Sequence, residues 1–191
     1  MPKARYTTRR AKRPRLSTDH AVRVLGAILA GGRSERFGSD KAVALYKGGR
    51  LVDHVFSRVR AQTESAIIVG RADLGRTSIP DQPAGGLGPL AGLNAALIHA
   101  RDDGFDAVLS AGVDVPNLPD DLVKTLSGEG AAVVRSQPVV GLWPIGVADD
   151  LAAFLEEGGR ALYGFAERIG ARRIAFDPPL LNVNEPSDLG G

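Results

Sequence analysis

VRVLGAILAGG, residues 22–32, decides the class of fold. The apolar run from Val22 to Ala30 ends at Gly31-Gly32, so it reads as a buried strand that enters a tight loop. Working outward, Val52, Val55, Phe56 and Val59 fall at helical spacing within 51–62. Ala66–Val69 is a second buried strand. Residues 70–88 are rich in Gly, Pro and Asp and read as one long loop, a feature that is usually functional in a compact domain. Pro89 opens a helix with Leu90, Leu93, Leu97 and Ile98 on its apolar face. Ala107–Ala111 is a third strand, ending at Gly112-Val113-Asp114. Pro119 is expected to begin a short helix. Residues 131–135 and 139–143 read as strands separated by Gln137-Pro138. Helices over 151–157 and 161–169 flank Gly158-Gly159, and a last short strand lies near Ile174. Continuous apolar strands alternating with amphipathic helices predict an α/β fold whose mainly parallel sheet is covered on both faces. Ligands of such sheets bind beyond the carboxyl ends of the strands.

Composition narrows the function. Cysteine is absent, which excludes disulfides, thiolate zinc sites and cysteine nucleophiles and fits a reducing compartment. Aromatics are only 5%, so the core must rest on Leu, Val, Ile and Ala. Residues 1–23 carry eight Lys/Arg against Asp19 alone, leaving 16 basic and 21 acidic residues in the rest of the chain. The basic pI therefore comes from the tail, and a nucleic-acid-binding body loses its support. Residues 1–21 are expected to form a basic, disordered tail and 22–191 a single domain. The tail holds no secretory signal, and no run approaches the ~20 apolar residues of a membrane span. A solvated extension is the preferred account of it, with binding to an anionic surface as the alternative.

Three segments carry chemistry. In Leu29 to Lys41, glycines let the backbone approach a phosphate, and Arg33, Arg36 and Lys41 supply cations for a triphosphate. The pattern GxxxxGK[ST] is absent, so this is not a Walker-type loop. Asp114 ends a central strand, where a carboxylate suits Mg²⁺ beside phosphates; helix capping is the alternative. Asp81 precedes Gly85 to Gly92. The stretch Gly86–Ala91 fits GxGxxA but follows a proline-rich loop rather than a strand, so a loop-to-helix junction bordering a nucleotide is the better account. His20, His54 and His99 are scattered, and Ser110 lies in no nucleophile elbow.

Taken together, LAGGRSERFGSDK (29–41), GPLAG (88–92), VDVP (113–116) and NVNEPSDL (182–189) resemble the molybdenum cofactor guanylyltransferases of the MobA type over roughly residues 24–189. The resemblance implies a Rossmann-like three-layer sandwich with a mixed, mainly parallel central sheet. It implies transfer of GMP from GTP to the phosphate of molybdopterin, with release of pyrophosphate. By position, Leu29, Ala30, Gly31, Gly32 and Lys41 would bind GTP, and Asp81 would hold the guanosine end. Asp114 would bind Mg²⁺ and the triphosphate, with Lys41, Arg36 and Asp114 forming the catalytic group. Asn182, Asn184 and Arg160 would contact the acceptor. The implied partners are GTP and molybdopterin, with transient contact to other cofactor-biosynthesis proteins or apo-molybdoenzymes, but neither nucleic acid nor membrane; the implied location is the cytoplasm. Val113 stands where the family commonly has cysteine, Glu185 where it has threonine, and Gly70 where some members have a base-contacting asparagine. A CTP-dependent sister enzyme acting on molybdopterin or another phosphorylated small molecule, and a non-catalytic nucleotide-binding module, are the competing readings.

Overall fold

In the computed structural model, which describes residues 21–31, 40–84 and 86–189, the quoted stretch forms β1 (Val24–Leu29), an interior strand of a seven-stranded sheet. The other strands are β4 (Ser65–Val69), β5 (Ser78–Ile79), β6 (Ala107–Gly112), β7 (Ala132–Val134), β8 (Gln137–Pro144) and β9 (Arg172–Ile174), in the order β5-β4-β1-β6-β8-β7-β9. Only β8 runs against its neighbours, so the sheet is mixed but mainly parallel, as the pattern predicts. A small hairpin, β2 (Leu45–Tyr46) with β3 (Gly49–Arg50), stands apart from it. It turns through Lys47 and Gly48, both at positive φ.

The two-residue period of β1 sorts its side chains between two cores. Leu25, Ala27 and Leu29 pack with α2 (Pro89–Asp102), α4 (Ala148–Glu156) and α5 (Leu162–Arg168). Val24, Ile28 and Ala30 pack on the other face with α1 (Leu51–Arg60) and α3 (Leu122–Leu126). A strand wedged between two apolar layers has no polar face, which is why the run reads as continuous. Gly26 is the exception in that run. A Cβ there would stand 2.3 Å from Val59 Cγ1 and 3.0 Å from Thr63 Oγ1, so its bare backbone lets α1 seat on the strand.

Three expectations are corrected. Residues 70–88 are not all loop, because β5 pairs in parallel with the end of β4. Two residues at a sheet edge leave no periodicity to detect. The helix expected at Pro119 starts at Leu122. Its N-terminus is satisfied by a distant residue, the Val123 N–H donating to Gln62 Oε1 at 3.1 Å. Gln137 and Pro138 lie within β8 rather than between strands. The register shifts at Val133/Val134, so Pro138 falls at an irregularity where a missing donor is tolerated. Gln137 itself is buried and donates to the Leu180 carbonyl at 3.1 Å.

Ser110 is a packing residue. Trp143 Nε1 donates to its hydroxyl at 2.8 Å, and the hydroxyl donates on to the Val139 carbonyl at 2.7 Å. His54 is half-buried and acts as a tie, its Nε2 donating to the Tyr46 carbonyl at 2.6 Å to fix the hairpin on α1. Among the described residues no helix is long and apolar enough to cross a membrane. His20 and the tail at 1–20 lie outside the described residues.

Gly26→Ala should destabilise the fold by about 1–3 kcal/mol through overpacking. In urea unfolding, Val59→Ala in the same chain should restore part of that loss. An unchanged midpoint for the single variant would show that α1 can retreat freely from β1.

Candidate functional site

Parallel pairing brings three chain segments to one edge. Leu29 pairs with Val69 on one side and with Gly112 on the other. The residues that follow, Ala30-Gly31, Gly70 and Val113-Asp114, therefore leave the sheet at the same level. The side chains of Leu29 and Ala30 are buried in opposite cores, and the Ala30 N–H is spent on the Val69 carbonyl at 2.9 Å. What these two residues can offer a ligand is backbone.

Lys41 is delivered to this edge by a short 3₁₀ turn over Lys41–Val43. Asp40 caps it, Oδ1 accepting from the Ala42 N–H at 3.1 Å. Lys41 Nζ donates to Asp114 Oδ2 at 3.4 Å and to Asn184 Oδ1 at 3.3 Å. Its side chain is only 11% exposed, which makes it a held cation rather than a waving one. Asp114 folds back over Gly112, where a Cβ would stand 2.5 Å from its Oδ1. That Oδ1 is buried and has no hydrogen-bond partner among the described residues. A buried carboxylate oxygen left unpaired is costly and is expected where a ligand or ion completes the set.

The carboxyl-terminal segment returns across the same edge. The Val183 N–H donates to the Asp114 carbonyl at 2.9 Å, and the Val183 side chain is fully buried beside Leu51. Asp188 then accepts from the N–H groups of Asn184 and Glu185 at 2.7 and 2.9 Å. These two bonds hold its carboxyl below the usual range, the Glu185 bond being the larger cause. Asn182 is exposed at this edge.

Asp81 lies at a second point, in a cup of glycines. A Cβ on Gly31 would stand 2.3 Å from its Oδ2; one on Gly70 or Gly92 would stand 2.9 or 3.2 Å from its Oδ1. Gly70 has φ +88°, and a Cβ there would also meet Gly31 Cα at 2.7 Å. Burial raises the Asp81 pKa. Its carboxylate accepts no hydrogen bond from a described residue.

The structure thus joins Lys41, Asp114 and Asn184, leaves Asn182 exposed two residues before Asn184, and sets Gly31 and Asp81 together. Arg160 is not joined to this group, because its guanidinium turns back to the Leu155 and Gly159 carbonyls at 3.3 and 2.7 Å. Gly32 and Arg36 lie outside the described residues, as do Arg33 and Gly85. Sequence reasoning missed Asp40 and Asp188 as positioning groups. The signal for Asp188 was present in the spacing from Asn184, since an acid four residues on can cap the intervening turn.

Residues 26–170 match the family model described as the MobA-like NTP transferase domain. A molybdenum cofactor guanylyltransferase of Cereibacter sphaeroides is 41% identical over 184 residues, covering 88% of this chain and 94% of that protein. Among solved structures, the molybdopterin-guanine dinucleotide biosynthesis protein A of Archaeoglobus fulgidus superposes with a TM-score of 0.69 at 21% identity, covering 86% of this chain and 94% of the other. The 2-C-methyl-D-erythritol 4-phosphate cytidylyltransferase of Thermus thermophilus does so at 0.63 and 16% identity, covering 88% and 95%. At such identities the structures establish the shared fold alone.

The lowered pKa of Asp188 makes the docking of the 182–189 segment acid-sensitive. A depressed carboxyl contributes stability above its unfolded value of about 4, and loses it as pH falls through the lower folded value. Amide hydrogen exchange at Asn184 and Glu185, corrected for intrinsic rates, should lose protection below about pH 4. Asp188→Asn should remove that protection at neutral pH. Equal protection in the variant would detach Asp188 from this role.

Proposed function

Because the chain belongs to the MobA-like NTP transferase family, we propose that it transfers GMP from GTP to the phosphate of molybdopterin, releasing pyrophosphate. The observation that carries this reading is the convergence of Lys41, Asp114 and Asn184 from three distant parts of the chain at one strand-end edge, with Asp81 held apart in its glycine cup.

The chemistry follows from charge. A phosphate monoester is largely ionised at neutral pH, so it needs no strong base to become a nucleophile. It must instead approach an α-phosphate that already carries negative charge. The protein's task is to suppress that repulsion and align the groups in line. Lys41, pre-placed and largely desolvated, supplies fixed positive charge. Asn184 holds Lys41 through its side-chain oxygen and keeps its amide nitrogen for the acceptor, beside Asn182. Arg36 adds a second cation in this proposal.

Asp81 selects the base. Guanine presents two adjacent donors on its pairing edge, N1–H and the 2-amino group, whereas cytosine presents one donor beside acceptors. A half-buried carboxylate gains from the first and is left poorly paired by the second. The glycines seat this carboxylate, because a Cβ at Gly31, Gly70 or Gly92 would press on its oxygens.

Asp114 also suits a divalent cation. Its orphaned Oδ1 is a hard oxygen ligand. The described residues offer no cluster of three His, Cys, Asp or Glu, so an ion there would take its other ligands from phosphate and water, which is the habit of Mg²⁺. Mg²⁺ held by Asp114 would neutralise charge on the triphosphate. We assign the reaction to the cytoplasm, and transient contact with other cofactor-biosynthesis proteins or apo-molybdoenzymes belongs to the same proposal.

Calorimetry with GTP, CTP and ATP, with and without Mg²⁺, should give selective GTP binding strengthened by Mg²⁺. Preference for CTP would move the activity to a cytidylyltransferase, and no binding would leave a non-catalytic module. Asp114→Ala should lower pyrophosphate release by about a hundredfold or more with an intact fold, and unchanged turnover would remove Asp114 from the mechanism. Asn182→Ala should raise KM for the molybdopterin acceptor and spare GTP binding, whereas Asn184→Ala, which also removes a hydrogen bond from Lys41, should raise the KM of both; loss of GTP binding in Asn182→Ala would reverse the assignment of the two halves of the site.

A further inference from the structure

Two consecutive residues after β4 touch both described ends of the glycine-rich segment. Gly70 packs on the backbone of Gly31, where that segment begins. Arg71 reaches Asp40, where it ends, Nη1 donating to Asp40 Oδ1 at 2.7 Å. The same Asp40 oxygen accepts from the Ala42 N–H and so caps the turn that carries Lys41. Arg71 is itself oriented from behind, Nε and Nη2 donating to the two oxygens of Asp73 at 2.9 and 2.5 Å.

We propose that Arg71 is a positioning residue for the nucleotide site, holding Lys41 at the triphosphate by anchoring Asp40. The inference rests on the reading of Lys41 as a ligand of GTP. Two physical effects support it. A planar guanidinium engaged at both edges has one orientation, so it fixes Asp40 in a way that a point charge could not. It also compensates a charge in the wrong place. Asp40 is the neighbour of Lys41, and an unpaired carboxylate there would compete with the triphosphate for that cation and repel it. Arg71 ties up this carboxylate: its side-chain hydrogen bond is the leading cause that holds Asp40 below its ordinary pKa, while the bonds to Asp73 first and to Asp40 second hold Arg71 above its own. The side chains are 23% and 38% exposed, so the pair is more shielded than an ordinary surface bridge.

The experiment is a kinetic double-mutant cycle on the full chain, reading pyrophosphate release as GTP and acceptor are varied separately. Arg71→Ala should raise KM for GTP by about tenfold while leaving the acceptor KM unchanged. The thermal midpoint should stay close to that of the control variant Arg76→Ala, whose partner is Asp53 on α1. Arg71→Lys should restore only part of the loss. Asp40→Ala should raise the same KM, and adding Arg71→Ala to it should cost nothing more. Additive losses in the double variant, or an unchanged GTP KM in Arg71→Ala, would overturn the inference. Absence of GTP-dependent turnover in the wild-type chain would overturn the functional reading itself, and with it the role of Arg71.

Discussion

The site depends on β1 being bonded on both sides by parallel neighbours. Parallel pairing aligns carboxyl ends, and the register that sets Leu29 level with Val69 and Gly112 brings three loops out at one height. Had either neighbour run antiparallel, its carboxyl end would lie at the opposite edge. A reversed β6 would separate Asp114 from Gly31 by the full length of the strand, and a reversed β4 would do the same to Gly70. Burial supports this arrangement. The strand interior is apolar on both faces, so a one-residue slip would exchange the two cores and strand Gly26 away from Val59.

Polar groups are treated differently in the interior and at the edge. Inside, Ser110, Trp143, Gln137 and Thr63 all find partners. Among the described residues, the buried side-chain atoms without partners are Asp114 Oδ1 and Asn94 Oδ1. Asn94 donates to the Gln82 carbonyl next to Asp81, so both orphans border the candidate site. Unsatisfied capacity thus gathers at the candidate site, and the well-packed core beneath it bears the cost. Cations and anions are likewise sorted, with Lys41 between two oxygens and Asp81 left to a cup lined by backbone. Gly70 belongs to this logic. At this position the chain presses its backbone against Gly31 and against the Asp81 carboxylate, where a side chain would find no room.

Much of this was legible from the residues. β1, β4, β6, α1 and α2 follow from apolar period and from Gly or Pro punctuation, because those patterns record local burial. Leu29, Gly31, Lys41, Asp81, Asp114 and Asn184 were singled out by type and motif, and the structure brings Lys41, Asp114 and Asn184 together and sets Gly31 against Asp81. The misses have physical reasons. β5 is two residues long and exists only because β4 offers it an edge. The start of α3 is decided by Gln62, 61 residues away.

By itself, then, the sequence determined the alternation of strands and helices, the position of the glycine-rich turn and the kinds of side chain available for chemistry. Only the tertiary structure decided which of them meet. Lys41 and Asn184 are 143 residues apart in the chain and 3.3 Å apart in space. Asp40 meets Arg71 across 31 residues, while Arg160 bonds the carbonyls of its own loop rather than Lys41, Asp114 or Asn184. Periodicity encodes which face of a segment is buried. It carries no record of the distant partner, which is chosen by sheet order and register.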